Sequence, residues 1–115
     1  MSTQKLGQEG EDRAAEFLQS IGYQILERNL HYKIGEIDIL AKDKKAYVIV
    51  EVKTGRTGKF GVAIERVGNQ KKRKLRQLAA RFSQDHPKEI LRIDLVNVDP
   101  DTNEVIHLIN AVEGV

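Results

Sequence analysis

A chain of 115 residues can support one hydrophobic core and is too short for two ordinary domains, so a single domain over 1–115 is expected. It contains no cysteine, which excludes disulfides, thiolate metal sites and cysteine nucleophiles. The formal net charge is only +2, yet the stretch from Lys53 to Arg81 sets ten Lys or Arg against the single acid Glu65, a local +9, while the remainder carries −7.

Clustered positive charge of this kind draws polyanions such as phosphate backbones, and it is the first pointer to nucleic acid. The opening residues MSTQKLGQEGEDRAAEF lack an apolar core. No run approaches the roughly 18 apolar residues of a membrane helix. A cytoplasmic location without membrane contact is therefore expected.

The first predicted element is an amphipathic helix over about 4–21, because Ala14, Phe17, Leu18 and Ile21 fall at i, i+3, i+4 and i+7. Gly22 ends it. Three β-like runs follow, Tyr23–Asn29, Gly35–Ala41 and Ala46–Lys53, separated by the turn-like HYKI and KDKK, and they read as an antiparallel meander. After a glycine-bearing loop, Leu75, Leu78, Ala79 and Phe82 repeat the helical spacing on a second helix over roughly 69–84, with Pro87 just beyond. Ile90–Val98 and Val105–Ile109 then read as strands joined by the turn DPDTNE. The order α-β-β-β-α-β-β predicts an α/β fold, with a mixed sheet flanked by helices that each bury one stripe.

Side chains two apart on a strand share a face, so Glu51 pairs with Lys53 and Glu36 with Asp38, in segments otherwise apolar enough to be core. Burying carboxylates together costs stability unless cations neutralise them, and a hard divalent metal held by oxygen ligands does so. Extending the stripe of the first helix backward lands on Glu11, while Glu9, Asp12 and Glu16 fall off it. Gly7 and Gly10 would let that end of the helix approach another backbone. One inward acid on a helix, acids on two adjacent strands and a lysine two residues after the last acid suit metal-assisted phosphodiester hydrolysis, in which the metal polarises the phosphate and acidifies a water. In this reading Asp38, Glu51, Lys53, Glu11 and Glu36 are catalytic candidates. Glu11, Asp38 and Glu51, with the Val52 carbonyl, would converge on Mg²⁺ or Mn²⁺. Glu36 would support the ligands or pair with an arginine.

Asp38, twelve residues, then Glu51-Val52-Lys53 resembles the D…(D/E)-x-K signature of the restriction-endonuclease-like superfamily. The longer stretches GEDRAAEFLQSIGYQILERN, GEIDILAKD, VIVEVKTGRTGKFG and RIDLVNVD resemble, in order and spacing, the YraN-like family of bacterial endonucleases over almost the whole chain. That family is similar in turn to archaeal Holliday-junction resolvases. The resemblance implies an αβββαβ core, the metal role for the three acids, and an endonuclease acting on DNA, branched or junction DNA included. It also implies a homodimer, since resolvase-like enzymes cut two strands symmetrically. Ile37 stands where the superfamily often has a proline before its first acid. Gln70 and Lys71 are both candidates for a polar residue that some relatives place on the second helix.

Substrate contacts are expected from Arg56 and Lys59 in the glycine loop and from Gln70, Lys71, Lys72, Arg73 and Arg76 on the helix. Of these, Lys72, Arg73 and Arg76 should face solvent, with Lys71 and Lys74 nearer the boundary. Phe60 is the one aromatic placed to stack on a base. Nothing in the sequence reads a 2′-hydroxyl, so the preference for DNA over RNA rests on the resemblance. The alternative function is a nucleic-acid-binding module with little or no hydrolysis; a decayed nuclease would be expected to have lost a ligand or Lys53, and all are present. Asp94 reads as structural, and His31, His86 and His107 lack metal-ligand spacing.

Overall fold

The computed structural model describes residues 3–56 and 68–114. Its elements are α1 (Thr3–Ser20), β1 (Gln24–Tyr32), β2 (Gly35–Asp43), β3 (Ala46–Thr54), α2 (Asn69–Asp85), β4 (Ile90–Val98) and β5 (Val105–Leu108). The five strands form one sheet in the order β1-β2-β3-β4-β5. The meander β1-β2-β3 is antiparallel, β4 runs parallel to β3 after the α2 crossover, and β5 returns antiparallel.

Alternation along the strands divides the core in two. Val48 and Val50 of β3 join Ile39, Ala41, Val96 and Val98 under Ala14, Ala15 and Leu18 of α1. Ile49 instead joins Leu40, Ile93 and Leu95 under Leu75, Leu78, Ala79 and Phe82 of α2. The helices therefore cover opposite faces of the sheet, α2 through the stripe its spacing predicts and α1 through Ala14 and Leu18 of its predicted stripe with Ala15 beside them. Among the described residues no helix is long and apolar enough to cross a membrane.

Some sequence expectations need correction. The HYKI turn shrinks, because β1 runs on to Tyr32 and pairs it with Gly35; KDKK likewise shrinks to the two residues between Asp43 and Ala46. Ile21 is 46% exposed, since α1 stops at Ser20 and the chain reverses before the stripe comes round again; Tyr23 is buried instead. Gly10 does lie close against β3, where a Cβ would stand 3.2 Å from the Thr54 side chain, but Gly7 meets nothing within 4 Å. Gly35 has a φ of 153°, a conformation that residues with a Cβ rarely adopt, and the Lys74 side chain of α2 lies over it.

Candidate active site

The β2–β3 ladder runs from Asp43↔Ala46 to Ile39↔Val50 and there stops, although both strands continue. One step further in the same register Asp38 comes opposite Glu51. The Val52 N–H, which needs an acceptor once the ladder opens, donates to Asp38 Oδ2 at 2.9 Å. The alternation of β1 and β2 also breaks at this level. Ile37 packs beneath α2 and Ile39 beneath α1, two residues apart on one strand. On β1, Arg28 reaches Asp12 of α1 at 2.7 Å, whereas Leu30 packs on the α2 side. Asn29 lies between them with a φ of 54°, opposite Asp38 in the β1–β2 register.

Two carboxylates thus meet where the sheet parts. Burial, then the charge of Glu51, lifts the Asp38 carboxyl from 3.8 to about 7, against the opposing pull of the Val52 N–H. Glu51 is 8% exposed and takes an ion pair from Lys71 Nζ of α2 at 2.7 Å. Lys71 thereby stands out from Gln70, which is exposed at the start of the helix. Lys53, two residues beyond Glu51, falls on the same face by alternation and is exposed.

Glu11 and Glu36 form a second pair. The Asn29 amide faces both carboxylates, so its nitrogen is the atom turned toward them; it donates to Glu11 Oε1 at 3.0 Å and to Glu36 Oε1 at 2.6 Å. Burial raises the Glu11 carboxyl; Arg28 opposes this, and Glu36, Asp12 and Glu51 add to it. Glu36 also lies 3.7 Å from His31 Nδ1. The four acids occupy one end of the sheet as two neighbouring pairs. Among the described residues no three acids or histidines close into a group able to hold a metal ion.

The basic surface differs from the sequence expectation. Arg73, Lys74, Arg76 and Gln70 are exposed, while Lys72 is half-buried beside Leu95, Leu108, Ala111 and Val112. Lys72 loses its exposure because the chain after β5 folds back against α2. Val112 buries in its cluster, the Ala111 N–H bonds to Ile93 O at 2.8 Å, and Arg76 Nε donates to Glu113 O at 2.8 Å. Arg56 leans 3.9 Å from Asp101 in the turn after β4, a solvated contact. Lys59 and Phe60 lie outside the described residues.

Asp94, read from the sequence as structural, is fully buried within a closed network. It accepts from Tyr23 Oη at 3.0 Å, Arg92 Nε at 3.1 Å and the Asn110 N–H at 2.9 Å, and pairs with His107 Nε2 at 2.8 Å. Burial works to raise its carboxyl, yet the bonds from His107, Arg92 and Asn110 hold it below the usual range. Arg92 also bonds to Tyr23 Oη and to Asp43, and burial beside Asp94 pushes the Tyr23 hydroxyl up to about 12. Nothing in single-residue spacing signals this network, whose members come from β2, β4, β5 and the connections before β1 and after β5. Asn29, which the sequence reading also passed over, did leave a trace: asparagine is depleted inside strands and enriched at positive φ.

A five-stranded mixed sheet between two helices, with acids gathered where β2 and β3 part, is the restriction-endonuclease-like αβββαβ core with one added strand. The chain belongs to the uncharacterised protein family UPF0102, which it matches over residues 10–98, the family described above as YraN-like. It is 39% identical to a UPF0102 protein of Caldicellulosiruptor saccharolyticus, covering 99% of this chain and 98% of that one. It is 41% identical to a UPF0102 protein of Symbiobacterium thermophilum, with 85% of each chain covered. The fold is similar to that of an XisH family protein from Nostoc punctiforme, with a TM-score of 0.50 and 15% identity over 88% of this chain and 98% of the other.

Proposed function

We propose that this chain is a nuclease that hydrolyses phosphodiester bonds in DNA, branched and junction DNA included, with Mg²⁺ or Mn²⁺ as cofactor. The observation that carries the reading is the Asp38–Glu51 pair. A protein that only had to fold gains nothing from two carboxylates at an opened ladder with one pushed up to about 7, because their mutual repulsion and desolvation destabilise the native state. A divalent cation offsets that cost, and hard oxygen donors are the right chemistry for it. Asp38 and Glu51 would hold the cation, with the Val52 backbone alongside and Glu11 and Glu36 at its flank. When bound, the metal would supply Lewis-acid polarisation of the scissile phosphate.

The protein's own groups have definable tasks around it. Lys53, exposed on the Glu51 face, would place a positive charge against the negative charge that grows on the phosphoryl oxygens. Lys71 holds Glu51 in place from the opposite element and balances part of its charge. Arg73 and Lys74 add basic side chains near the start of α2, whose first turn holds no acid. Positive charge at a helix N-terminus runs against the macrodipole, and a phosphate backbone lying there relieves both.

The test is cleavage in Mg²⁺ of linear, single-stranded, flapped and four-way DNA, with RNA in parallel and EDTA as control. Metal-dependent products from at least one DNA substrate are expected. Binding to all of them with no cleavage in either metal would instead assign the chain to the nucleic-acid-binding modules.

A further inference from the structure

We propose that Asn29 is a positioning residue for this site. Its side-chain amide ties Glu11 of α1 to Glu36 of β2 and thereby sets where the helix carboxylate stands relative to Asp38 and Glu51. The inference rests on the metal-dependent reading above and adds a residue to it that neither the D…(D/E)-x-K spacing nor the charge pattern contains.

Three independent features of Asn29 agree. Its amide nitrogen donates to Glu11 Oε1 at 3.0 Å and Glu36 Oε1 at 2.6 Å, so one NH₂ group bridges carboxylates from two different elements. Without such a bridge the two acids would repel, and Glu11, on the first half of a helix, would be free to turn to Arg28, the cation that acts on it most strongly. Second, the backbone at Asn29 has a φ of 54°, a left-handed conformation inside a strand, which reverses the alternation between Arg28 and Leu30. Asparagine tolerates this conformation better than other residues with a Cβ. Third, the kink stands opposite Asp38, where β2 breaks its own alternation, so the bridge and the opened ladder lie at the same level of the sheet. One residue type satisfies the backbone and the two acids together.

The positioning role separates from a purely structural one through two variants. Asn29→Gly keeps the left-handed backbone and removes the amide; Asn29→Ala removes both. Mn²⁺ binding to the full chain is measured by titration calorimetry, with thermal midpoints recorded alongside. Asn29→Gly is expected to weaken Mn²⁺ binding by about 10-fold or more, the usual consequence of removing a partner that orients a ligand, at a thermal midpoint close to the parent's. Asn29→Ala should lose at least as much affinity and also melt lower. If Asn29 acts by orienting Glu11, then Asn29→Gly made on top of Glu11→Gln should weaken binding little beyond Glu11→Gln alone. Parent-like Mn²⁺ affinity in Asn29→Gly would overturn the proposal while leaving the metal site standing, as would a loss seen only in Asn29→Ala or a fully additive loss in the double variant. A parent chain that takes up no Mn²⁺ removes the functional reading and this inference with it.

Discussion

Asp38 Oδ2 lies 2.9 Å from the backbone nitrogen of Val52, so an aspartate side chain accepts a hydrogen bond from the neighbouring strand at the point where the β2–β3 ladder has ended. The bond fixes the carboxylate of one strand against the backbone that carries Glu51, and it explains why two acids stay close despite their charge.

The raised Asp38 carboxyl has a consequence for stability. A group whose folded pKa exceeds its unfolded value favours the folded state fully below the unfolded pKa, and the advantage is lost as pH rises through the folded one. For Asp38 that window runs from 3.8 to about 7. The thermal midpoint of the metal-free chain should therefore fall across this range more steeply than that of Asp38→Asn, and Mg²⁺ at pH 8 should raise the parent's midpoint and leave the variant's nearly unchanged. Superimposable profiles for the two proteins would show that Asp38 does not titrate in this way.

Lys71 is the near cation of the pair, 2.7 Å from Glu51 Oε1 and itself 41% exposed. Lys71→Ala leaves a largely buried carboxylate without its ion pair, which should cost about 1–3 kcal/mol of stability at neutral pH in the absence of metal. Since Lys71 also lowers the Asp38 carboxyl, its removal should push that group further up. Urea denaturation with and without Mg²⁺ checks both effects: the deficit should shrink when metal is added, and an equal deficit in both conditions would make Lys71 an ordinary surface partner.

The Asp94 network should matter for stability alone. Asp94→Ala strands Arg92 and His107 beside an empty space in the core, and breaking a buried ion pair from one side costs about 3–5 kcal/mol. The chain should unfold at markedly lower urea, yet the folded fraction should bind Mn²⁺ as the parent does. A specific loss of metal affinity at preserved stability would assign Asp94 to the site.

Exposed Arg73 and Lys74 offer the clearest test of the basic helix. Replacing both with alanine should weaken DNA binding for every sequence alike, and should flatten the slope of log affinity against log salt by about 0.9 for each phosphate that the helix no longer neutralises. An unchanged slope would place the phosphate-binding cations elsewhere.

The strands and helices were legible because their signals are local. Val48, Val50 and Val52 alternate with Ile49 and Glu51, and Leu75, Leu78, Ala79 and Phe82 recur at helical spacing, so each element announces its own buried side. That Asp38 and Glu51 stand on neighbouring strands followed from the strand assignments, whereas the broken alternation at Asp38 did not. What spacing could not convey was anything set by chain segments far apart. Lys72 is half-buried because residues 109–112 return to α2, and Asn29 matters because its backbone leaves the β region opposite Asp38.

The most direct measurement is single-turnover cleavage of a labelled four-way DNA junction in Mg²⁺, run with the parent chain, Lys53→Ala and Asp38→Asn, with binding to the same junction measured in Ca²⁺. The account predicts metal-dependent cleavage by the parent, loss of cleavage by at least about 100-fold in both variants, as expected when electrostatic stabilisation of the transition state is removed, and junction affinity within a few-fold of the parent's. Cleavage by both variants at the parent's rate, from preparations free of contaminating nuclease, would contradict it.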